Sequence, residues 1–135
     1  MSISEFFKRL GAPLHNILWS WGAVTEDGTV ILRCWMHELR KVDGKYQHEV
    51  LDRAYRNLNA PGYLERLKHI KLINDGANVR IVTVTDVDPI NPQGNIRHYN
   101  SNALMIGTRI FTEGDKTYVE CEGVEQLKNG YRVVG

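Results

Sequence analysis

The run Asn78-Val79-Arg80-Ile81-Val82-Thr83-Val84-Thr85-Asp86-Val87 alternates and is rich in β-branched residues, and no other segment constrains the fold as tightly. Branching at Cβ stiffens χ1 and suits a pleated surface, so this stretch predicts a strand. A strand leaves its N–H and C=O groups open on both sides, so it demands neighbours. Candidates are readable on either side of it. Ile17 to Ala23 and Thr29 to Trp35 flank the turn Glu26-Asp27-Gly28 and predict a hairpin. Tyr46 to Val50 follows Asp43-Gly44, Ile96 to Tyr99 follows the breaker Asn91-Pro92-Gln93-Gly94, and Ala103 to Thr112 and Lys116 to Glu122 flank Glu113-Gly114-Asp115. Gly107 is a candidate bulge inside the first of that last pair.

Two segments carry helical signals instead. Ser2-x-x-Glu5 ahead of Phe6, Phe7 and Leu10, with Gly11 behind, has the form of a capping box, two turns and a glycine stop. From Pro61-Gly62 to Asp75-Gly76, Leu64, Leu67 and Ile70 to Leu72 recur every three to four residues. The expectation is an α+β fold: a small mixed β-barrel of six or seven strands with two or three helices. Residues 1–135 form a single domain on this reading. At 42% hydrophobic residues a chain of this length can bury roughly two thirds of its unfolded surface without a disulfide or metal staple.

Cys34 and Cys121 stand far apart with no C-x-x-C spacing, so they are expected as reduced, buried, apolar side chains. No apolar window approaches the ~20 residues of a membrane span, and Met1-Ser2-Ile3-Ser4-Glu5 lacks the order of a secretion signal; no membrane role and a cytoplasmic location are expected. The net charge of +1 conceals an asymmetry. Residues 1–72 hold eleven basic against eight acidic residues, and residues 73–135 hold six against eight. A basic face for a polyanion is therefore permitted, though not required.

All three tryptophans fall between positions 19 and 35. Strand alternation would put Trp19 and Trp21 on one face, with Trp35 on the hairpin neighbour. Indole faces stack on flat rings, and a base lifted from its duplex could be held in such a cluster. Packing a core is the plainer role for the same side chains. Ser20 alternates to the opposite side, and Gly22 leaves backbone that a ligand or another strand can approach.

The run Leu14-His15-Asn16-Ile17-Leu18-Trp19-Ser20-Trp21-Gly22-Ala23, followed by Asp27-Gly28-Thr29-Val30 and Leu32-Arg33-Cys34-Trp35, resembles a small bacterial domain found attached to HNH-type restriction nucleases. The order of elements from Val79 to Pro89 and on to Ile96-x-x-Tyr99 resembles the PUA-like barrel superfamily, which includes the EVE, ASCH, YTH and SRA domains. That resemblance implies a reader of modified bases with Trp19, Trp21 and Trp35 as pocket walls, and Ser20 and Gly22 beside them. It implies basic residues at the rim for the nucleic-acid backbone: Arg33, Arg40, Lys41, Arg66 and Lys68 first, then Arg53, Arg56 and Lys71. The partner implied is nucleic acid, DNA ahead of RNA, with a separate nuclease and a setting in restriction or defence. No cofactor and no metal are implied. The sequence departs from the pattern after the last tryptophan, where an acidic residue is expected beside Trp35 and Met36-His37-Glu38 stands. His15-Asn16 alone is too short a match for an HNH centre.

Two other classes stay open. The histidines His15, His37, His48, His69 and His98, with the acids Glu38 and Asp52, Glu65 four residues before His69 on the predicted helix, and Asp86 and Asp88 at the end of the strongest strand, could serve a small metal-dependent nuclease or hydrolase. Asp88-Pro89 reads equally as the start of a turn. If the tryptophans are all core, the chain is a protein interaction module. No P-loop, dinucleotide fingerprint, G-x-S-x-G or H-E-x-x-H is present.

Overall fold

The computed structural model describes residues 1–55 and 57–133, and β5 (Val79–Asp86) lies inside its sheet as the alternation demands. On one side β5 runs parallel to β2 (Val30–Trp35), and on the other it pairs antiparallel with β7 (Ala103–Glu113); β6 (Ile96–Tyr99) takes up its last residues. The mixed sheet continues from β7 through β8 (Lys116–Lys128) and β4 (Lys45–Asp52) to β3 (Leu39–Val42), while β1 (Gly22–Val24) flanks β2. The two residues of β9 (Tyr131–Arg132) fold back on the end of β8.

Alternation divides the core. Val30, Leu32 and Cys34 of β2, with Val79 and Ile81 of β5, pack under α2 (Pro61–Asn74) against its Tyr63, Ile70 and Ile73. Ile31, Val82 and Val84 face the other way, onto Phe6, Phe7 and Leu10 at α1 (Ile3–Arg9). The central strands are thus buried on both faces, which is why they read as nearly unbroken apolar runs. Ser2 caps α1 through its hydroxyl, which accepts the Glu5 N–H at 3.2 Å. Both cysteines are free and buried, and burial raises their thiols to about 11 at Cys34 and about 12 at Cys121. At Gly107 the β7–β8 register shifts as expected; a Cβ there would lie 2.3 Å from Val79 Cγ1, so only glycine allows the strands this close.

Three expectations are revised. The described residues form nine strands rather than six or seven, because β3 and β9 lie in charged edge segments whose outer faces meet solvent and leave no apolar alternation. The first hairpin arm is shorter than predicted, starting at Gly22. Residues 17–21 stay out of the ladder because Asn16 Oδ1 accepts the Leu18 N–H at 2.8 Å and Ser20 Oγ accepts the Asn16 N–H at 3.0 Å, an arrangement that competes with strand pairing. Finally, the sheet is not closed into a barrel. β2 and β4 approach each other, but no ladder joins them among the described residues. Arg66 of α2 fills the gap: its guanidinium donates to the carbonyls of Val50 at 2.6 Å, Arg33 at 2.8 Å and Trp21 at 2.9 Å. Three converging acceptors cannot bond one another, and a forked donor satisfies them together. Among the described residues no helix is long and apolar enough to cross a membrane.

Candidate functional site

The same gap opens into a cavity of about 430 Å³, a volume within the usual range for small-ligand sites. β2 supplies Arg33 and, two residues on along the same strand face, Trp35. The bend ahead of β1 supplies Trp21, α2 supplies Tyr63, and the segment after β4 supplies Tyr55. Trp21, Tyr55 and Tyr63 form a connected wall. Trp21 meets Tyr55 edge-on at 5.6 Å between centroids, and Tyr55 lies parallel to Tyr63 at 5.8 Å and 3°. Gly62 permits this, since a Cβ there would sit 2.5 Å from the Trp21 indole.

Polar groups interrupt the wall in two places. Arg33 has its Cζ 5.8 Å from the Trp35 ring centroid, makes no ion pair among the described residues, and buries an Nε that has no partner. Burial first, and then the neighbouring Arg66 charge, depress its pKa to about 10. Glu38 and Glu49 form the second place. Glu49 is held by Lys116 Nζ at 2.9 Å. Burial pushes Glu38 up to about 8, assisted by its hydrogen bond to Glu49 and the charge of that carboxylate, while Lys116 and Arg66 pull the other way.

The structure brings together Trp21, Trp35, Arg33 and Arg66 from the residues expected on sequence grounds, and it disperses the others. Trp19 lies in a neighbouring groove with His15, Pro61, Lys68 and His69. Ser20 is buried and bridges the Asn16 N–H to Glu65, donating to Oε2 at 3.1 Å, so it braces the bend. Gly22 faces its partner strand, where a Cβ would come within 2.6 Å of the Ile31 carbonyl; the close approach is strand to strand. Arg40 lies over Tyr118 at 3.8 Å and pairs with Glu113 at 2.9 Å. Lys41 lies near the Tyr46 ring at 5.3 Å, Arg53 donates to the Gly114 carbonyl at 2.7 Å, and Lys71 pairs with Asp75 at 2.8 Å. Arg56 lies outside the described residues. Of the expected basic rim, Arg33 and Arg66 line this pocket, while among the described residues Arg40, Lys41, Arg53, Lys68 and Lys71 lie elsewhere. Apolar Leu18, 89% exposed, reaches the pocket lining.

Among the groups considered for metal chemistry, Asp86 is taken up by the backbone. Asp86 accepts the backbone N–H groups of Asp88, Gly94 and Asn95, and holds the loop after β5. Burial raises its pKa, but these donors outweigh that and leave it below the usual carboxylate range. Glu65 and His69 do share a side of α2, yet among the described residues no three His, Cys, Asp or Glu side chains gather as a metal site. Comparison with protein-family models, curated proteins and solved structures found no match to this chain.

Tyr55, Tyr63 and Glu49 were not singled out from the sequence. Each reaches the pocket through a contact between distant segments. Only the tyrosine pair, Tyr55 and Tyr63 on either side of Pro61-Gly62, left a local trace.

Proposed function

We propose that this chain is a binding module without catalytic activity of its own, and that its pocket takes up a flat nitrogen-bearing ring, a modified or extruded base of a nucleic acid. The observation that carries this reading is the meeting of Trp21, Trp35, Tyr55 and Tyr63 around one cavity that Arg33 also lines, with its Nε buried and without a partner among the described residues. Aromatic faces supply stacking to any base, and a buried polar group without a partner costs free energy that a ligand acceptor would relieve. DNA ahead of RNA, a cytoplasmic setting in restriction or defence, and a separate nuclease as partner belong to the same proposal. So does kinship with PUA-like barrels, with the Arg66 gap as an opened seam. The setting and partners rest on the resemblance of the Leu14 to Trp35 run, and the barrel kinship on the order of elements from Val79 to Tyr99.

Titrating the protein with single-stranded oligonucleotides carrying modified bases, while following tryptophan fluorescence, tests the proposal. Quenching is expected, and Trp35→Ala is expected to weaken binding by about 1 to 3 kcal/mol, the usual worth of one stacked base. With Arg33 the one basic group at the pocket that has no ion-pair or side-chain hydrogen-bond partner among the described residues, the salt dependence should be shallow, close to that of about one phosphate contact. Absence of quenching across bases and nucleosides would refute the reading.

A further inference from the structure

Two guanidiniums, Arg33 and Arg66, line one cavity, and among the described residues no carboxylate forms an ion pair with either. Arg66 spends its Nη atoms on three backbone carbonyls, which satisfies donors without cancelling its charge. Both residues bury an Nε that has no partner. The two charges also oppose each other, since Arg66 acts against the protonated form of Arg33. Three carboxyl groups share the lining, but they are engaged elsewhere. Glu49 is held by Lys116 at 2.9 Å and hydrogen-bonds Glu38, and Asp52 Oδ1 accepts the Ala54 N–H at 2.9 Å. Like charges that the protein leaves uncompensated beside a cavity are costly, and an anion entering that cavity relieves both. There is room for one. At about 430 Å³ the cavity is of a size that encloses a whole small molecule, and a single stacked base leaves part of it unfilled. Arg33 and Trp35 line it from one strand face, with the guanidinium carbon 5.8 Å from the ring centroid, so a stacking surface and a free cation stand side by side.

We propose that the ligand is a nucleoside monophosphate, held with its base among the aromatic side chains and its phosphomonoester on Arg33, with the Arg66 charge close by. This rests on the base-binding reading and deepens it: the unit recognised is a base together with its own terminal phosphate. A guanidinium fork meets two phosphate oxygens at once, which a neutral sugar or base edge does not offer. A phosphomonoester carries about −1.5 to −2 charge at neutral pH, whereas a phosphate inside a strand carries one negative charge, so a pair of guanidiniums favours the monoester. A free mononucleotide and the phosphorylated end of a strand present this same group.

The probes are the four deoxynucleosides and 5-methyldeoxycytidine, each compared with its own 5′- and 3′-monophosphates, read by tryptophan quenching of the full chain at pH 7 and low salt. For the tightest nucleoside, at least one monophosphate is expected to bind about tenfold tighter or more, the usual worth of a charge-assisted contact. Inorganic phosphate should erode that advantage without displacing the nucleoside. Arg33→Met should bring the ratio to about one, and Arg33→Lys, which keeps the charge but not the fork, should retain part of it. Trinucleotides with phosphorylated or hydroxyl ends assign the source. An equal advantage for the phosphorylated strand points to a strand end, and tighter binding of the mononucleotide than of either strand points to a free nucleotide. Monophosphates that bind no tighter than their nucleosides, or an advantage that survives Arg33→Met, overturn the phosphate assignment and leave base binding standing. No quenching by any nucleoside or nucleotide overturns both.

Discussion

Arg66 and Arg33 sit on neighbouring sides of one gap, each with its guanidinium carbon 5.8 Å from a tryptophan ring centroid, Trp21 for the first and Trp35 for the second. Arg66 makes three hydrogen bonds to backbone carbonyls from three separate segments, and Arg33 makes none with its side chain among the described residues. The same chemical group is a structural tie in one place and an unspent donor in the other. A site for a ligand is marked less by charge or aromatic content than by hydrogen-bonding capacity that the fold leaves unused.

Removing the tie should have the largest effect. Arg66→Leu strips donors from the Val50 and Arg33 carbonyls at the β2–β4 gap and is expected to cost about 3 to 5 kcal/mol of stability by urea unfolding. Wild-type stability in that variant would mean that the gap is held by other contacts.

Acid is the next perturbation. His48 is fully buried, and burial, followed by the Arg66 charge, lowers its pKa from 6.5 to about 4; His69 is shifted the same way for the same reasons. Between those limits the unfolded chain binds the extra proton and the folded chain does not, so stability falls as pH drops from about 6.5 to 4. The loss from His48 alone is on the order of 3 kcal/mol, and His48→Gln should flatten the profile there. Glu38 acts with the opposite sign. Its folded pKa is raised to about 8, so the folded state holds the proton and stability declines as pH rises from about 4.5 to 8. Glu38→Gln should abolish that decline in the same unfolding series.

Arg33→Met tests the other half of the comparison. Because no hydrogen-bond or ion-pair partner among the described residues is lost, stability should stay within about 1 kcal/mol of wild type or rise, while base binding weakens. A loss as large as that of Arg66→Leu would show that Arg33 is structural too. The smallest effect is expected at Lys68, an exposed residue of the neighbouring groove. Lys68→Ala should leave stability within about 0.5 kcal/mol and affinity unchanged.

What was legible in the sequence follows the range of the interactions involved. β5, α2 and the Gly107 irregularity were readable because alternation, helical spacing and a lone glycine are local signals. β3 was hidden by its charges, since an edge strand need not alternate. Trp21, Trp35, Arg33 and Arg66 were singled out, but Arg66 for a phosphate rather than for three carbonyls, which no pattern in one segment can announce. Trp19 was grouped with the other tryptophans by an alternation that the Asn16 and Ser20 hydrogen bonds interrupt. The meeting of Glu38 and Glu49 at the pocket depends on how the 3-10 turn Met36–Glu38 leads into β3 beside β4, which is set by turn geometry and packing rather than by composition.

Three indole N–H resonances, one for each of Trp19, Trp21 and Trp35, allow the pocket to be watched directly. In a titration with a base-bearing oligonucleotide the Trp21 and Trp35 signals should shift together and saturably while Trp19 stays in place. Movement of Trp19 alone, or of no indole at saturating oligonucleotide, would contradict the account.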